Sequence, residues 1–459
     1  MLTKEDNEIL TRVGPGTLMG NLLRRYWTPA LLSSEVAEPD CPPVRVRILG
    51  EDLVAFRDTE GKVGLFPTAC PHRGASIFFG RNEEAGLRCV YHGWKFDVTG
   101  ACVDMPSEPA ESNFKTKVRI GAYPVHESGG LVWAYMGPAD KQPPFRDFGS
   151  EGVPKEKWGT ATKFQAYCNW VQRNEGQIDS SHISWLHQFK GAIEHSDDGT
   201  DVPGGYPSYP MSIKIWAHDR APRLELVDTE YGYRYAAIRE TPNGNTHVRI
   251  TAYAMPYSTM VASIPFSMGG VMCVPIDDYN CYFFRFATRP LPNAAYRDEI
   301  MAASGEGGLF AFMPYAAVRA RRFASGNAGE RHYRPDNDYL IDRDLQKDGT
   351  YYTGVEDFGS QDLMVTESMG GIYDRSQEHL GTTDKAIIRM RSLLIKAAKD
   401  LANGIEPPVL DGIDFTSIRS GEKILAPGED WRLVGSDEDP VVMHALGKPE
   451  AEIEAVAGS

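Results

Sequence analysis

The amino-acid sequence predicts an α+β protein, in which an all-β domain precedes a larger domain with an antiparallel sheet. Apolar residues alternate with arginines at Val44, Val46 and Ile48, and short strands separated by glycine and proline turns continue to Tyr135. Further strands are predicted at 224–227, 233–239 and 246–254. Apolar residues then recur at three- and four-residue steps over 387–401, which indicates one long amphipathic helix. Strands followed by a packing helix are typical of an α+β domain.

These patterns divide the chain into three parts. Residues 1–40 are predicted to form an N-terminal helical segment that packs on the last domain, with Thr3 capping a helix over 4–11 and a second helix over 18–27. Residues 41–145 form the β-rich domain, which ends in a linker at 137–144. Residues 146–459 form the α+β domain, with a helix over 170–186, a strand at 213–216, and a weakly patterned acidic tail.

Composition excludes several classes of function. The 459 residues include 63 acidic and 48 basic side chains, and the resulting net charge of −15 disfavours binding to nucleic acid or to anionic membranes. The longest uncharged stretch, 251–276, is interrupted by prolines and glycines and is therefore interpreted as strands, not as a membrane helix. The first residues show no export signal, so we expect a cytoplasmic protein.

Paired cysteines and histidines form the most specific pattern in the sequence. Cys70-x-His72 lies in TACPHRGA, and Cys89-x-x-His92 lies in LRCVYHGWKF. Two thiolates and two imidazoles on paired loops can hold either a tetrahedral zinc or a two-iron cluster in which histidines bind one iron. From the residues alone, a zinc-structured binding protein and a pure electron carrier therefore both stay open.

The two segments resemble the Rieske centre of ring-hydroxylating oxygenases, whose pattern is CPHRG paired with CxYHGW. Gly74 and Gly93 follow the ligand pairs, which suits loops whose backbone amides approach cluster sulfides. Respiratory-chain Rieske proteins carry an extra cysteine in each loop, where this chain has Ala75 and Tyr91. The resemblance implies an all-β Rieske domain with a [2Fe-2S] cluster held by Cys70, His72, Cys89 and His92.

A pair of histidines follows in NEGQIDSSHISWLH, spaced as Asp179-x-x-His182-x4-His187. Two histidines and a carboxylate from elsewhere in the chain form the facial triad that leaves positions open on Fe(II). On a regular helix the two histidines would point about 140° apart, so both reach one metal only where the helix is distorted or ends between them. Such a pair taken alone is more often two separately packed or solvated side chains, but the cluster motif beside it favours the metal site.

In the Rieske oxygenases, this pattern supplies both iron histidines, and its aspartate bridges one of them to a cluster histidine of a neighbouring subunit. The resemblance implies that His182 and His187 bind a mononuclear Fe(II) and that Asp179 is the electron-transfer bridge. Asp362, in GSQDLMVTES, matches the late acidic ligand of the family. Spacing alone leaves three competitors for that role: Glu356, Asp357 and Glu367.

Longer runs, among them LTRVGPGT, DMPSE and GGIYDRSQEHLGTTD, are similar to the phthalate 4,5-dioxygenase group. The similarity implies a helix-grip (START-like) catalytic domain and a homotrimer or hexamer that receives electrons from a separate NADH-dependent flavin and iron–sulfur reductase. The implied activity is cis-dihydroxylation of an aromatic carboxylate such as phthalate, using O2. Relatives of that group include chlorobenzoate dioxygenases and O-demethylases of methoxylated aromatic acids, which stay open as alternatives.

An anionic substrate requires a cation in this acidic protein. Arg249, on a predicted strand, could present its guanidinium to a carboxylate. Four other cations are alternatives: Lys214, Arg220, Arg223 and Arg239. Three apolar residues could line an aromatic pocket: Phe266, Met268 and Met272.

Overall fold

Antiparallel strands build both halves of the chain. This computed structural model describes residues 1–109, 111–145, 161–190, 205, 207, 209–262, 270–286, 333–408, 415–445 and 447–457. The strands are β1 Trp27–Leu32, β2 Val44–Ile48, β3 Glu51–Arg57, β4 Val63–Pro67, β5 Arg81–Glu83, β6 Gly86–Arg88, β7 Lys95–Phe96, β8 Cys102–Asp104, β9 Val125–Ser128, β10 Leu131–Tyr135, β11 Thr162–Ala166, β12 Arg223–Thr229, β13 Gly232–Glu240, β14 Thr246–Ala254, β15 Ser258–Met260, β16 Gly270–Pro275, β17 Cys281–Phe286 and β18 Gly421–Leu425. The α-helices are Lys4–Thr11, Leu18–Leu23, Trp170–Ile178, Tyr209–His218, Arg343–Asp348, Phe358–Ser368, Lys385–Ala402, Pro440–Ala445 and Glu450–Ala457. Within the described ranges, none of these helices combines the length and the apolar character needed to cross a bilayer.

Three small antiparallel sheets make up the first half, with strand orders β1-β10-β9, β2-β3-β4 and β5-β6-β7-β8. The predicted helix over 4–11 is present, and the Thr3 hydroxyl accepts the N–H of Asp6 at 3.0 Å. The second helix ends at Leu23, earlier than predicted, and the chain continues into β1. Trp27, the last residue of the predicted helix, instead pairs with Tyr135 of β10, a contact between distant residues that the local pattern does not show.

One antiparallel sheet dominates the second half, in the order β11-β17-β16-β15-β14-β13-β12. Along one side of β14, its first half pairs with β18 and its last residues pair with β15. The α+β class is thus confirmed, whereas β18 lies in the tail for which no pattern was recognised. The strand predicted at 213–216 is wrong, because those residues belong to the helix Tyr209–His218. A short apolar run fits both helical and extended periods, and length alone did not separate them.

The long helix Lys385–Ala402 packs into the core beside this sheet. Its residues Met390 and Leu394 are fully buried in the same apolar cluster as Tyr233 and Tyr253 of the sheet. The Tyr233 hydroxyl also donates to the carbonyl of Ala386 at 2.7 Å. The helix and the sheet therefore share one hydrophobic core, as a helix-grip arrangement requires.

Backbone hydrogen bonds join the two halves. The N–H groups of Leu49 and Gly50, at the turn between β2 and β3, donate to the carbonyls of Pro275 and Ile276 at 2.8 and 2.9 Å. The N-terminal helix contacts the second half as well, since the Asn7 amide donates to the carbonyl of Tyr373 at 3.1 Å. These contacts fix how the two candidate metal sites sit within one chain.

Candidate metal centres

The two cysteine–histidine loops are built in the same way. In the first loop, the Cys70 N–H donates to the Ala75 carbonyl and the Cys70 carbonyl accepts from Gly74, both at 2.8 Å. The second loop repeats the latter bond, from Gly93 to Cys89, at 2.9 Å. Gly74 and Gly93 have φ angles of 75° and 79°, a left-handed conformation that other residues rarely adopt. The glycines of the motif are thus required by the turns that present the ligands.

The four candidate cluster ligands lie together as a cysteine pair and a histidine pair. Cys70 and Cys89 are buried with their thiols adjacent, and the rings of His72 and His92 lie 4.3 Å apart between centroids. One tetrahedral zinc would need the two sulfur and two ring-nitrogen ligand atoms close together. Among the described residues, no three of these four atoms lie within 4.8 Å of one another. Two metals, one for each pair, fit this arrangement better.

Two further observations fit a metal cluster. The Nδ1 atom of His72 is buried and has no hydrogen-bond partner among the described residues. Burial raises the pKa of the Cys70 thiol to about 11, so this thiol stays protonated until a metal displaces the proton. A buried thiol and an orphaned ring nitrogen are both satisfied when they become metal ligands.

Aromatic side chains pack against both histidines, each of which is partly exposed. The Trp94 ring stacks on His72 at 4.2 Å, and its indole N–H donates to the Ser107 hydroxyl at 3.0 Å. Tyr91 contacts the His92 ring at 4.0 Å but is 55% exposed. The exposed Tyr91 ring beside His92 therefore marks a side from which an external electron donor or acceptor could approach.

The second candidate site brings together three predicted ligands. The Nε2 atoms of His182 and His187 lie 3.5 and 3.1 Å from Asp362 Oδ1, and a ligand atom from each residue lies within 4.8 Å of the others. The helix predicted over 170–186 ends at Ile178, and a separate 3₁₀ turn covers His182–Ser184. This break allows both histidines to face one point, and two imidazoles with one carboxylate are a donor set that suits Fe(II).

The orientation of His187 is held by groups that the sequence analysis did not identify. Its Nδ1 lies 2.7 Å from Gln361 Oε1, while the Gln361 amide donates to the carbonyl of Val355 at 2.6 Å. The Gln361 oxygen therefore accepts from Nδ1–H and leaves Nε2 with a free lone pair. The ring also stacks on Phe358 at 3.6 Å. Burial lowers the pKa of His187, which keeps the imidazole neutral and available to a metal.

Asp179 lies at the end of the helix Trp170–Ile178. Its Oδ1 accepts the N–H of Ser181 at 2.6 Å, and its Oδ2 lies 3.7 Å from His182 Nδ1. Burial opposes ionisation, but the charge and hydrogen bond of His182 outweigh it and lower the pKa of Asp179. The carboxylate is thus placed behind a candidate ligand, where it could orient the imidazole.

Asp362 is distinguished from its competitors by its surroundings. Burial would raise the pKa of its carboxyl, but the adjacent His187 imidazole and the charge of Arg173 hold that pKa well below its usual range. Asp357 instead caps the helix Phe358–Ser368, and Glu367 accepts hydrogen bonds from the Tyr167 N–H and the Tyr339 hydroxyl. Among these carboxylates, Asp362 is the one that faces both histidines.

Arg249 is buried close to the histidine site. Its two terminal nitrogens donate to the Ser180 hydroxyl at 3.0 Å and the Ala262 carbonyl at 3.1 Å. Its Nε has no hydrogen-bond partner in the described part of the chain. Ser180 lies between Asp179 and His182, so the guanidinium reaches the segment that carries the histidines.

Arg239 is the alternative cation nearest to Arg249. Its Nη2 donates to the Ser180 carbonyl at 2.6 Å, and its Nη1 lacks a partner among the described residues. Burial and the charge of Arg249 lower the pKa of Arg239 to about 10. Arg223 is exposed and paired with Glu225. Of the proposed pocket residues, Met272 is buried, and Phe266 and Met268 lie outside the described residues.

Comparison with protein families agrees with the two-part organisation. Residues 26–124 match the family described as Rieske [2Fe-2S] domain, and residues 134–299 and 321–452 match the family described as LigXa C-terminal domain like. The oxygenase subunit of 3-chlorobenzoate-3,4-dioxygenase from Comamonas testosteroni is 38% identical over 440 residues, covering 94% of this chain and 97% of that one.

Two further relatives have other substrates in their names. The oxygenase subunit of phthalate 4,5-dioxygenase from Pseudomonas putida is 38% identical and covers 94% of both chains. The oxygenase subunit of 5,5'-dehydrodivanillate O-demethylase from a Sphingobium species is 32% identical, covering 89% of this chain and 84% of that one.

Solved structures share the fold at low identity. The carbazole-bound oxygenase of carbazole 1,9a-dioxygenase has a TM-score of 0.52 and 19% identity, covering 85% of this chain and 95% of that one. Dicamba monooxygenase bound to dicamba has a TM-score of 0.52 and 16% identity, covering 84% and 99%.

Proposed function

Because the chain belongs to the Rieske non-heme iron oxygenases, we propose that it is the oxygenase component of an aromatic ring-hydroxylating dioxygenase acting on an aromatic carboxylate such as phthalate. The cofactors of this family are a Rieske [2Fe-2S] cluster and a mononuclear non-heme iron. In the proposed reaction both atoms of O2 enter the ring, and two electrons from NADH with two protons complete a cis-diol.

We assign the cluster to Cys70, His72, Cys89 and His92, and the mononuclear iron to His182, His187 and Asp362. Convergence of the latter three ligand atoms within 4.8 Å is the observation that carries the proposal. When bound, the cluster supplies single electrons and the iron activates O2 beside the substrate. Gln361 and Asp179 hold the two imidazoles in the orientation that this chemistry needs.

We also propose three domains, residues 1–40, 41–145 and 146–459. Strand β1 lies in the first of these segments but joins a sheet of the Rieske domain by pairing with β10.

Arg249 is proposed to bind the substrate carboxylate. It is buried, contacts Ser180 beside the candidate iron ligands, and has an Nε–H for which no described residue is an acceptor. Arg239 places a second guanidinium on the same serine. Two buried cations with donors that no described residue satisfies favour an anionic substrate, because a carboxylate would satisfy those donors.

We propose that the protein assembles as a homotrimer or hexamer in which the Rieske loops of one protomer meet the catalytic domain of the next. Val90 and Tyr91 are exposed apolar residues beside His92. On the catalytic domain, the exposed rings of Trp185 and Tyr352 lie 5.7 Å apart, next to the histidine segment. Head-to-tail contact of these surfaces would bring Asp179 close to the partner's cluster. A monomeric enzyme with full activity would contradict this arrangement.

Product analysis tests the proposed reaction. The metal-loaded protein is given a compatible NADH-dependent flavin and iron–sulfur reductase, NADH and O2, together with phthalates, halobenzoates or methoxybenzoates. A product that gains two oxygens and two hydrogens supports dihydroxylation, and chloride release from a chlorobenzoate identifies that subclass. Loss of a methyl carbon as formaldehyde identifies instead an O-demethylase, the alternative favoured by the dehydrodivanillate relative. We place this system in the cytoplasm, where the NADH that it consumes is available.

Asp179→Asn tests the electron-transfer assignment separately. We expect both metal sites to stay loaded while electron transfer between them slows, because the amide cannot accept two ring N–H groups as a carboxylate does. Asp52→Asn, at an exposed carboxylate remote from the site, is the control. Unchanged turnover of the Asp179 variant would refute the bridge.

A further inference from the structure

Arg173 is a buried cation beside the proposed iron site that the sequence patterns do not identify. It lies on the helix Trp170–Ile178 and is almost completely buried. Its guanidinium packs over the Phe283 ring, with 4.7 Å between the guanidinium carbon and the ring centroid. With the Gln177 amide oxygen turned toward it, both terminal nitrogens donate to that oxygen, at 2.8 and 3.1 Å. These contacts fix a planar group in one position.

The two carboxylate oxygens of Asp362 face different neighbours. Oδ1 faces the two histidines, whereas Oδ2 lies 3.6 Å from Nη2 of Arg173. An ion pair on one oxygen leaves the other available as a single metal ligand.

We infer that Arg173 is a positioning residue, which holds Asp362 as a one-oxygen ligand and so keeps coordination positions open on the metal. This inference rests on the proposed function, because it takes the Asp362 site to be the iron site. A carboxylate that used both oxygens would occupy a position that the facial triad leaves free for O2 and substrate. Arg173 itself touches neither the metal nor the substrate in this role.

A close approach of two helices makes the pair possible. A Cβ atom added at Gly176 would lie 3.2 Å from Thr366 Cγ2 and 3.6 Å from Arg173 Nη1. The helix that carries Asp362 therefore packs against the helix that carries Arg173 at a glycine. Phe283 supports the guanidinium from the sheet side.

Cobalt(II) titration of protein freed of mononuclear iron tests the inference without turnover. For Arg173→Met we expect cobalt affinity to fall about 10- to 100-fold, as for other groups that orient metal ligands. The visible absorption per bound cobalt should also decrease, since a two-oxygen carboxylate raises the coordination number. The Rieske absorption should stay unchanged. Arg173→Lys, which keeps the charge, should restore most of the affinity and keeps the test valid if the methionine variant folds poorly.

Arg24→Met is the matched control, because Arg24 is a buried arginine paired with Glu51 and is remote from the site. Cobalt affinity and spectrum equal to wild type in both Arg173 variants would overturn the inference alone. A His182→Ala variant that still bound cobalt with wild-type affinity would instead refute the proposed iron site. The two failures are therefore distinguishable.

Discussion

Removing the charge of Glu175 should destabilise the catalytic domain strongly. This carboxylate accepts from Arg375 Nε and Nη2, both at 2.9 Å, and from Arg391 Nε at 2.6 Å. Arg391 also pairs with Glu378, so two buried arginines balance two buried carboxylates. Glu175→Gln preserves shape but leaves one positive charge uncompensated.

The expected loss in the free energy of unfolding is about 3–5 kcal/mol, the cost of breaking a buried pair on one side. For a domain of about 300 residues, with an unfolding entropy of about 2.1 cal/mol/K per residue, that corresponds to roughly 5–8 °C in the unfolding midpoint. Arg375 and Arg391 overcome the effect of burial and lower the pKa of Glu175. A lowered folded-state pKa stabilises the protein above the unfolded-state pKa, about 4.3, and that contribution is lost as pH falls through the folded-state value. The difference between wild type and variant should therefore shrink in acid.

Thermal unfolding of the metal-loaded protein, followed by far-ultraviolet circular dichroism at pH 7 and in acid, measures both effects. Glu8→Gln is the control, because Glu8 forms an exposed pair with Arg12 on the N-terminal helix, worth about 0.2–0.5 kcal/mol. A Glu175 variant no less stable than the Glu8 variant at pH 7 would refute the reasoning.

Three further substitutions address the sites. Gly93→Ala should prevent cluster assembly, seen as loss of Rieske absorption, because the Cβ would lie 2.6 Å from Pro106 Cγ at a φ of +79°. Gly61→Ala is the control and should keep that absorption, because Gly61 has a similar φ and its added Cβ would meet no atom of the described residues within 4 Å. Gln361→Leu should weaken Fe(II) binding about 10- to 100-fold in a metal titration, since His187 loses its orienting acceptor. Arg249→Met should raise KM for a carboxylate substrate by roughly 10- to 150-fold, the worth of a charged hydrogen bond of about 1.5–3 kcal/mol, and an unchanged KM would exclude it from substrate binding.

Features that depend on neighbouring residues were predicted better from the sequence than contacts between residues far apart in the chain. The Thr3 cap, β14 and the two cysteine–histidine loops follow from neighbouring residues, and they appear where the sequence indicates. Asp362 required the family resemblance, because its distance from the histidines in sequence gives no geometric information. Arg173 and Gln361 were missed, since nothing in their own segments shows which elements pack against them.

Two errors have specific physical causes. The apolar run within Tyr209–His218 alternates over too few residues to separate a strand from a helix. The strand β18 contains two charged residues in five, Glu422 and Lys423, which masked its place in the sheet. Glu422 can be buried in the folded chain because its Oε1 lies 2.8 Å from His247 Nε2. This partner is far away in the sequence and is brought close only by folding.

The pairing of β18 with β14 also offers a route for redesign. Glu422 lies opposite Arg249 in the register of these strands, and its carboxylate accepts from the Trp216 indole N–H at 3.2 Å. Substitutions at 421–425 would therefore change the electrostatic support of the proposed substrate arginine without altering any metal ligand. A laboratory evolution library aimed at new substrates should include this C-terminal strand, which inspection of the linear chain would leave out.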